Sequence, residues 1–237
     1  MCGRYSLSRP PFDELGELLG VEIDEELSRQ PFRPRYNVAP GGEELVVLAA
    51  APGARPRLAR ARWGLGPKGQ INVRAESTLR RPSLRQALAT RRCLVPTDGF
   101  FEWSGQRAAR RPIWFHGARG ELVLLAGLAL PAGRGLRFAI LTTAANDLCG
   151  RVHDRMPAVL PAAEAARWLG AGSAEEAAAL LQPAPVGLLR GLWVSPRANS
   201  ADNDDPACLA PAPEPGAAPR SRRGRRQQLD LFGGRNR

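Results

Sequence analysis

Histidine is nearly absent from this 237-residue chain, which carries only His116 and His153, and lysine is rarer still, with Lys68 alone. The four cysteines, Cys2, Cys93, Cys149 and Cys208, lie far apart and form no CxxC pair. A zinc site, a redox dithiol and a disulfide framework all lack their usual spacing, so the expectation is a chain with no metal and no cofactor. No apolar run approaches the roughly 18 residues that a membrane helix needs, and the N-terminus lacks the basic-then-apolar pattern of a secretory signal. The composition therefore points to a cytoplasmic protein, and nothing in it demands more than a monomer.

Arginine is abundant instead. The formal charge is +11, and 33 of the 34 basic residues are arginine. A guanidinium fork grips two phosphate oxygens at once, so an arginine excess suits a nucleic-acid partner, although high-GC codon usage would enrich arginine as well. The charge is spread along the chain: residues 210–237 carry +5 and the preceding 209 residues +6.

Local pattern predicts an α+β domain. Apolar residues at helical spacing mark 12–19, 80–90, 162–169 and 174–181 as helices. Strands are expected over 44–50, 92–103 with a break at 96–99, 113–115, 121–130, 136–143 and 191–195. Glycine and proline punctuate these segments as in an antiparallel or mixed sheet. From residue 210 the composition turns to Ala, Pro, Gly and Arg, which cannot bury enough apolar surface to offset its ordering entropy, so 210–237 reads as a disordered basic tail.

Several polar groups sit where the pattern would predict core or plain turn. The chain opens MCGRY, and a small second residue lets the initiator methionine be removed. Cys2 would then carry a thiol and a free α-amine, with ordinary pKa values of about 8.5 and about 7.7–8.0. An aldehyde condenses with such an amine to an imine, which the thiol closes to a five-membered thiazolidine. In INVRAES, Asn72 can both donate and accept hydrogen bonds and so orient Cys2 or a bound sugar. In GFFEW, Glu102 points to the strand face opposite Phe101 and Trp103, where partial burial would raise its pKa and suit it to proton transfer. His153, in VHDRMP, has polar neighbours at an expected loop. His116, at a strand end beside Phe115, reads as structural.

MCGR at the start, RYNVAP at 35–40, Trp63-Gly64, INVRAES at 71–77, GFFEW at 99–103 and VHDRMP at 152–157 occur in one order. Together they resemble the SOS-response-associated peptidase family, abasic-site processing proteins that cross-link to damaged single-stranded DNA, over residues 1–209. The resemblance implies a single domain with a mixed, barrel-like β core flanked by short helices. It implies that Cys2 is the covalent residue, that Glu102 is its acid–base partner, and that Asn72 and His153 shape the reaction. It assigns DNA contacts to Arg4 and Arg74, which hold phosphates, with Asn37 shaping the pocket and Trp63 in the WG motif. Family members often carry further aromatics after WG; here Leu65, Gly66, Pro67 and Lys68 follow, which removes stacking and leaves one charge. The peptidase label fits release of Met1, by the chain itself or by a housekeeping aminopeptidase, and an imine at an abasic sugar also invites a lyase side reaction.

In the tail, QLDLF resembles the bacterial sliding-clamp binding peptide, with Gln228, Leu229, Leu231 and Phe232 as its contact residues. Such a tether would hold the domain near replication forks on the nucleoid. Two other readings of the chain remain open from sequence: an N-terminal-nucleophile hydrolase acting through Cys2, and a non-catalytic single-stranded DNA binding module.

Overall fold

A computed structural model of the chain describes residues 2–23, 25–49, 54–105, 109–170 and 172–215. In chain order the elements are β1 (Tyr5–Leu7), α1 (Phe12–Leu19), α2 (Glu25–Ser28), β2 (Arg35–Val38), β3 (Glu43–Leu48), β4 (Arg57–Trp63) and β5 (Asn72–Arg74). They continue with α3 (Pro82–Thr90), β6 (Arg92–Thr97), β7 (Gly99–Ser104), β8 (Arg111–Gly117), β9 (Val123–Ala132) and β10 (Gly135–Ala144). The last are α4 (Asp147–Gly150), β11 (Arg155–Pro157), β12 (Val159–Leu160), α5 (Ala162–Gly170), α6 (Ala174–Ala179) and β13 (Leu189–Trp193).

One sheet runs β13-β8-β7-β1-β2, and the other β11-β10-β4-β3-β6-β9-β12, with β5 also on β10. Because β10 pairs with β9 as well, strands β10, β4, β3, β6 and β9 close into a five-stranded barrel. Closure leaves those strands no free edge. The β10–β4 and β10–β5 pairs are parallel and the other strand pairs antiparallel, which gives the mixed, barrel-like core that the family resemblance implies.

Alternation along the strands feeds two apolar clusters. Val47, Leu94, Leu128 and Leu141 pack with residues of α1, α3, α5 and α6. Val46, Cys93, Val95, Phe138 and Ile140 pack against Tyr5, Phe100, Ile113 and Phe115 of the other sheet. Helix α5 is pinned by Trp168, fully buried, whose indole N–H donates to the Cys93 carbonyl at 2.9 Å. Burying an indole with its one donor satisfied is worth several kcal/mol, of order ~3. Arg92 donates to the carbonyls of Leu88 and Ala89 at the end of α3 and to that of Trp168, tying two helix ends to β6. A capping box starts α6: Ser173 accepts from the Glu176 N–H, and Glu176 accepts from that of Ser173.

Two turns position the site. The β9–β10 hairpin closes with two residues, Gly133 and Arg134, and Gly133 has φ of 60°, as such a tight turn demands. Between β6 and β7 only Asp98 intervenes, and there the chain passes from the barrel to the other sheet. A Cβ at Gly99 would stand 2.3 Å from the Phe115 carbonyl oxygen, so this close approach of β7 to β8 admits glycine alone.

Residues 210–212, expected in the disordered tail, are tied to the end of β13. Ser195 donates to the Ala210 carbonyl at 2.9 Å and Ala212 to that of Trp193 at 2.8 Å, while Pro211 bridges to Val194. Proline supplies only an acceptor, so an Ala-Pro stretch can still pair where its carbonyls and alternate N–H groups suffice. Gln228, Leu229, Leu231 and Phe232 lie outside the described residues.

Candidate active site

The site forms where the two sheets meet. Strand β1 lies between β7 and β2, with Tyr5 opposite Phe100, and Phe101 donates to the Arg4 carbonyl at 3.0 Å. This register brings the residues that precede β1 alongside Glu102. From the barrel side, β5 pairs with β10, Asn72 opposite Ile140, and β11 pairs with β10, Ala144 opposite Arg155. Asn72 bridges the two sheets, its Nδ2 donating to the Cys2 carbonyl at 2.7 Å.

Cys2 is fully buried, and its thiol lies 3.7 Å from the Arg4 carbonyl. Burial pushes that thiol far above its ordinary pKa, with the Glu102 carboxylate adding to the effect and the amino-terminal charge opposing it. At neutral pH the thiol therefore keeps its proton. Glu102 is 4% exposed on the Phe100 face of β7, the face of the cluster that holds Cys2 and Cys149. Burial raises its pKa to about 7, against the pull of the positive amino terminus and with a smaller push from Asp154. A carboxyl titrating there can give and take a proton in the same reaction. Burial also holds His153 below its ordinary value, followed by the repulsion of the amino terminus, so its imidazole is neutral at pH 7. Cys2, Glu102 and His153 thus all feel the amino-terminal charge, and Asn72 is bonded to Cys2: the four residues expected to act together share one neighbourhood.

The four expected DNA contacts divide. Arg74 is exposed at the end of β5. Arg4 is half-buried; it donates to Asn37 Oδ1 at 2.8 Å and to the Ala198 carbonyl at 3.1 Å, and its guanidinium lies 5.8 Å from the centre of the Trp103 ring. Asn37 is buried, and its amide donates to the carbonyls of Ala198, Ser200 and Asn203. Its polar atoms are bonded to Arg4 and to the 198–203 segment, which ties that segment to the Arg4 side chain. Trp63 is 1% exposed, stacks on Phe138 and donates to the Ile71 carbonyl. The WG tryptophan is core, and the expectation that it meets DNA directly is corrected by its burial.

Other residues at the site carry no role in the sequence reading. Arg155 makes a two-point contact with Glu76 at 2.6 and 2.9 Å and donates to the Thr142 carbonyl at 2.6 Å, which joins the segment after Asn72 to the strand after His153. Both residues lie in motifs quoted above, INVRAES and VHDRMP, but pairing between distant segments has no local signal. Cys149 is buried in the Cys2 cluster; burial and Glu102 push its thiol up to about 12. Among the described residues no group of three His, Cys, Asp or Glu side chains could hold a metal, and no helix is long and apolar enough to cross a membrane.

The SOS response associated peptidase (SRAP) family matches residues 1–201. This chain belongs to the SRAP family. Its relatives include the abasic site processing protein YoqW of Bacillus subtilis, 33% identical over 227 residues that cover 88% of this chain and 99% of YoqW. The abasic site processing protein YedK of Escherichia coli is 31% identical over 180 residues, covering 71% of this chain and 79% of YedK. Among solved structures, a phage-related protein of Bordetella bronchiseptica superposes with a TM-score of 0.63 at 30% identity, covering 81% of this chain and 94% of that one. A Bacteroides thetaiotaomicron protein superposes with a TM-score of 0.73, covering 89% of this chain and all of that one; at 22% identity it speaks for the SRAP fold alone.

Proposed function

We propose that this SRAP protein acts in the DNA damage response by capturing abasic sites in single-stranded DNA through a covalent bond to Cys2. The observation that carries the reading is the juxtaposition of Cys2, held by Asn72, with a buried Glu102 that titrates near neutrality. Once Met1 is removed, the Cys2 α-amine is the first nucleophile, because the buried thiol is protonated. The amine adds to the aldehyde of the ring-opened sugar to give a carbinolamine, and loss of water leaves an imine. The thiol then adds to the imine carbon, its proton passes to the nitrogen, and a thiazolidine closes. Glu102 is suited to carry the protons of these steps, while neutral His153 polarises the sugar oxygen. Asn72 Oδ1, buried and without a hydrogen-bond partner among the described residues, is an acceptor available to the freed amine. Ring closure suppresses the β-elimination that a bare imine would undergo, so strand cleavage is a side reaction.

Arg74 and Arg4 supply positive charge beside this pocket for the flanking phosphates. In the tail, Gln228, Leu229, Leu231 and Phe232 form the segment that docks on the sliding clamp and keeps the domain close to single-stranded DNA. The direct test is to treat abasic single-stranded DNA with borohydride before adding protein. Reduction of the aldehyde to an alcohol should abolish the covalent adduct while leaving salt-sensitive binding intact. An adduct of equal yield on the reduced DNA would refute the mechanism.

A further inference from the structure

The imidazole of His153 meets two groups at a single nitrogen. The main-chain N–H of Arg155 donates to Nδ1 at 3.0 Å, and Oδ1 of Asp154 lies 2.8 Å from the same atom. The two contacts exclude one another. A donor N–H needs the Nδ1 lone pair, whereas a carboxylate at that distance needs a proton on Nδ1.

The two competitors are built differently. The Arg155 N–H belongs to β11, in register with Ala144 of β10. The Arg155 side chain, 12% exposed, is fixed by the two-point contact with Glu76 and by the Thr142 carbonyl. That donor stays in place. The Asp154 side chain is 85% exposed and free to swing toward the ring or into water. The other ring nitrogen, Nε2, has no hydrogen-bond partner among the described residues, so it is the one left for a substrate.

We propose that Asp154 is a positioning residue which, in competition with the Arg155 main-chain N–H, selects the tautomer of His153. With Arg155 on Nδ1, the neutral ring carries its proton on Nε2 and presents a donor. With Asp154 on Nδ1, the proton moves there and Nε2 presents a lone pair. A reaction that opens a sugar and then closes a second ring needs both, a donor toward the departing ring oxygen and an acceptor for a hydroxyl proton. This role rests on the functional reading above. The charges that act on the ring are the amino terminus, Asp154 and Arg155, and Glu102 from β7 shares the first two with it.

The chain supplies an internal reference. The Nδ1 of His116 lies 2.9 Å from the Gly117 carbonyl, which only accepts, so neutral His116 must be protonated on Nδ1. With two histidines in the chain, nitrogen NMR separates them readily. Resting His153 should read as the Nε2–H tautomer, opposite to His116. In Asp154→Asn its titration midpoint should fall by about half a pH unit at low salt, a modest shift because the carboxylate is solvated. The acid limb of abasic-DNA cross-linking should move down with it. A resting His153 protonated on Nδ1, or an Asp154→Asn protein whose midpoint and pH profile match the parent, would overturn the proposal. The NMR measurement needs no DNA, so it decides the assignment even if the parent forms no adduct, a result that would instead remove the functional reading.

Discussion

At the scale of single residues, the account turns on two buried groups whose burial runs against their own stability. Cys2→Ala keeps the α-amine once Met1 is removed but loses the thiol that closes the ring, so the stable covalent adduct should vanish, leaving a reversible imine and non-covalent DNA binding, as denaturing and native gels run side by side would show. Glu102 binds its proton more tightly in the folded chain, with its pKa lifted from 4.5 to about 7. Folded protein therefore holds more protons than unfolded across that window, and stability falls as pH rises through it. Glu102→Gln should cost nothing in stability at pH 4, gain about 1–3 kcal/mol at pH 8 in urea unfolding, and slow cross-linking at every pH. A variant that loses stability at pH 8 would show that burial does not penalise the Glu102 carboxylate. An amine beside a thiol is legible in the sequence because its chemistry is unusual. A motif residue that turns inward is not: nothing local distinguishes a tryptophan that stacks on Phe138 from one that stacks on a base.

At the scale of elements, strongly periodic segments were legible and weakly periodic ones were not. The helix over 12–19 and the strands of the central third follow from their apolar spacing. Strand β4, RLARARW, went unread because Arg60 and Arg62 share a face with buried Leu58, so one face carries both polar and apolar residues and the pattern of two is blurred. Strands β1, β5 and β11, which deliver the site, are three residues each and too short to show a period. Barrel closure by β10 on β9 is a long-range pairing with no local signature. The one-residue passage from β6 to β7 gives a sharp test. Gly99→Ala would drive its methyl against the Phe115 carbonyl and the Trp114 indole nitrogen, 2.6 Å away, and should destabilise the domain by at least about 2 kcal/mol in urea titrations. An unchanged midpoint would mean that β7 and β8 separate freely.

At the scale of the whole molecule, the +11 charge of the chain favours an anionic partner. Binding of undamaged single-stranded DNA should weaken with salt at a slope of about −0.7 per phosphate contact. Arg74→Ala should reduce that slope by about one contact and leave the cross-linking rate at saturating DNA unchanged; a slope identical to the parent would remove Arg74 from the interface. Deleting residues 216–237 should abolish binding to the cognate sliding clamp yet preserve cross-linking of short abasic oligonucleotides. Clamp binding that persists in the truncated chain would refute the role given to QLDLF. The central claim is tested most directly by peptide mass mapping of the adduct formed on single-stranded DNA with one abasic site. The account predicts a sugar-linked peptide that begins at Cys2, with Met1 gone and the mass of a dehydrated aldehyde conjugate. An adduct on any other residue, or on a chain that retains Met1, would contradict it.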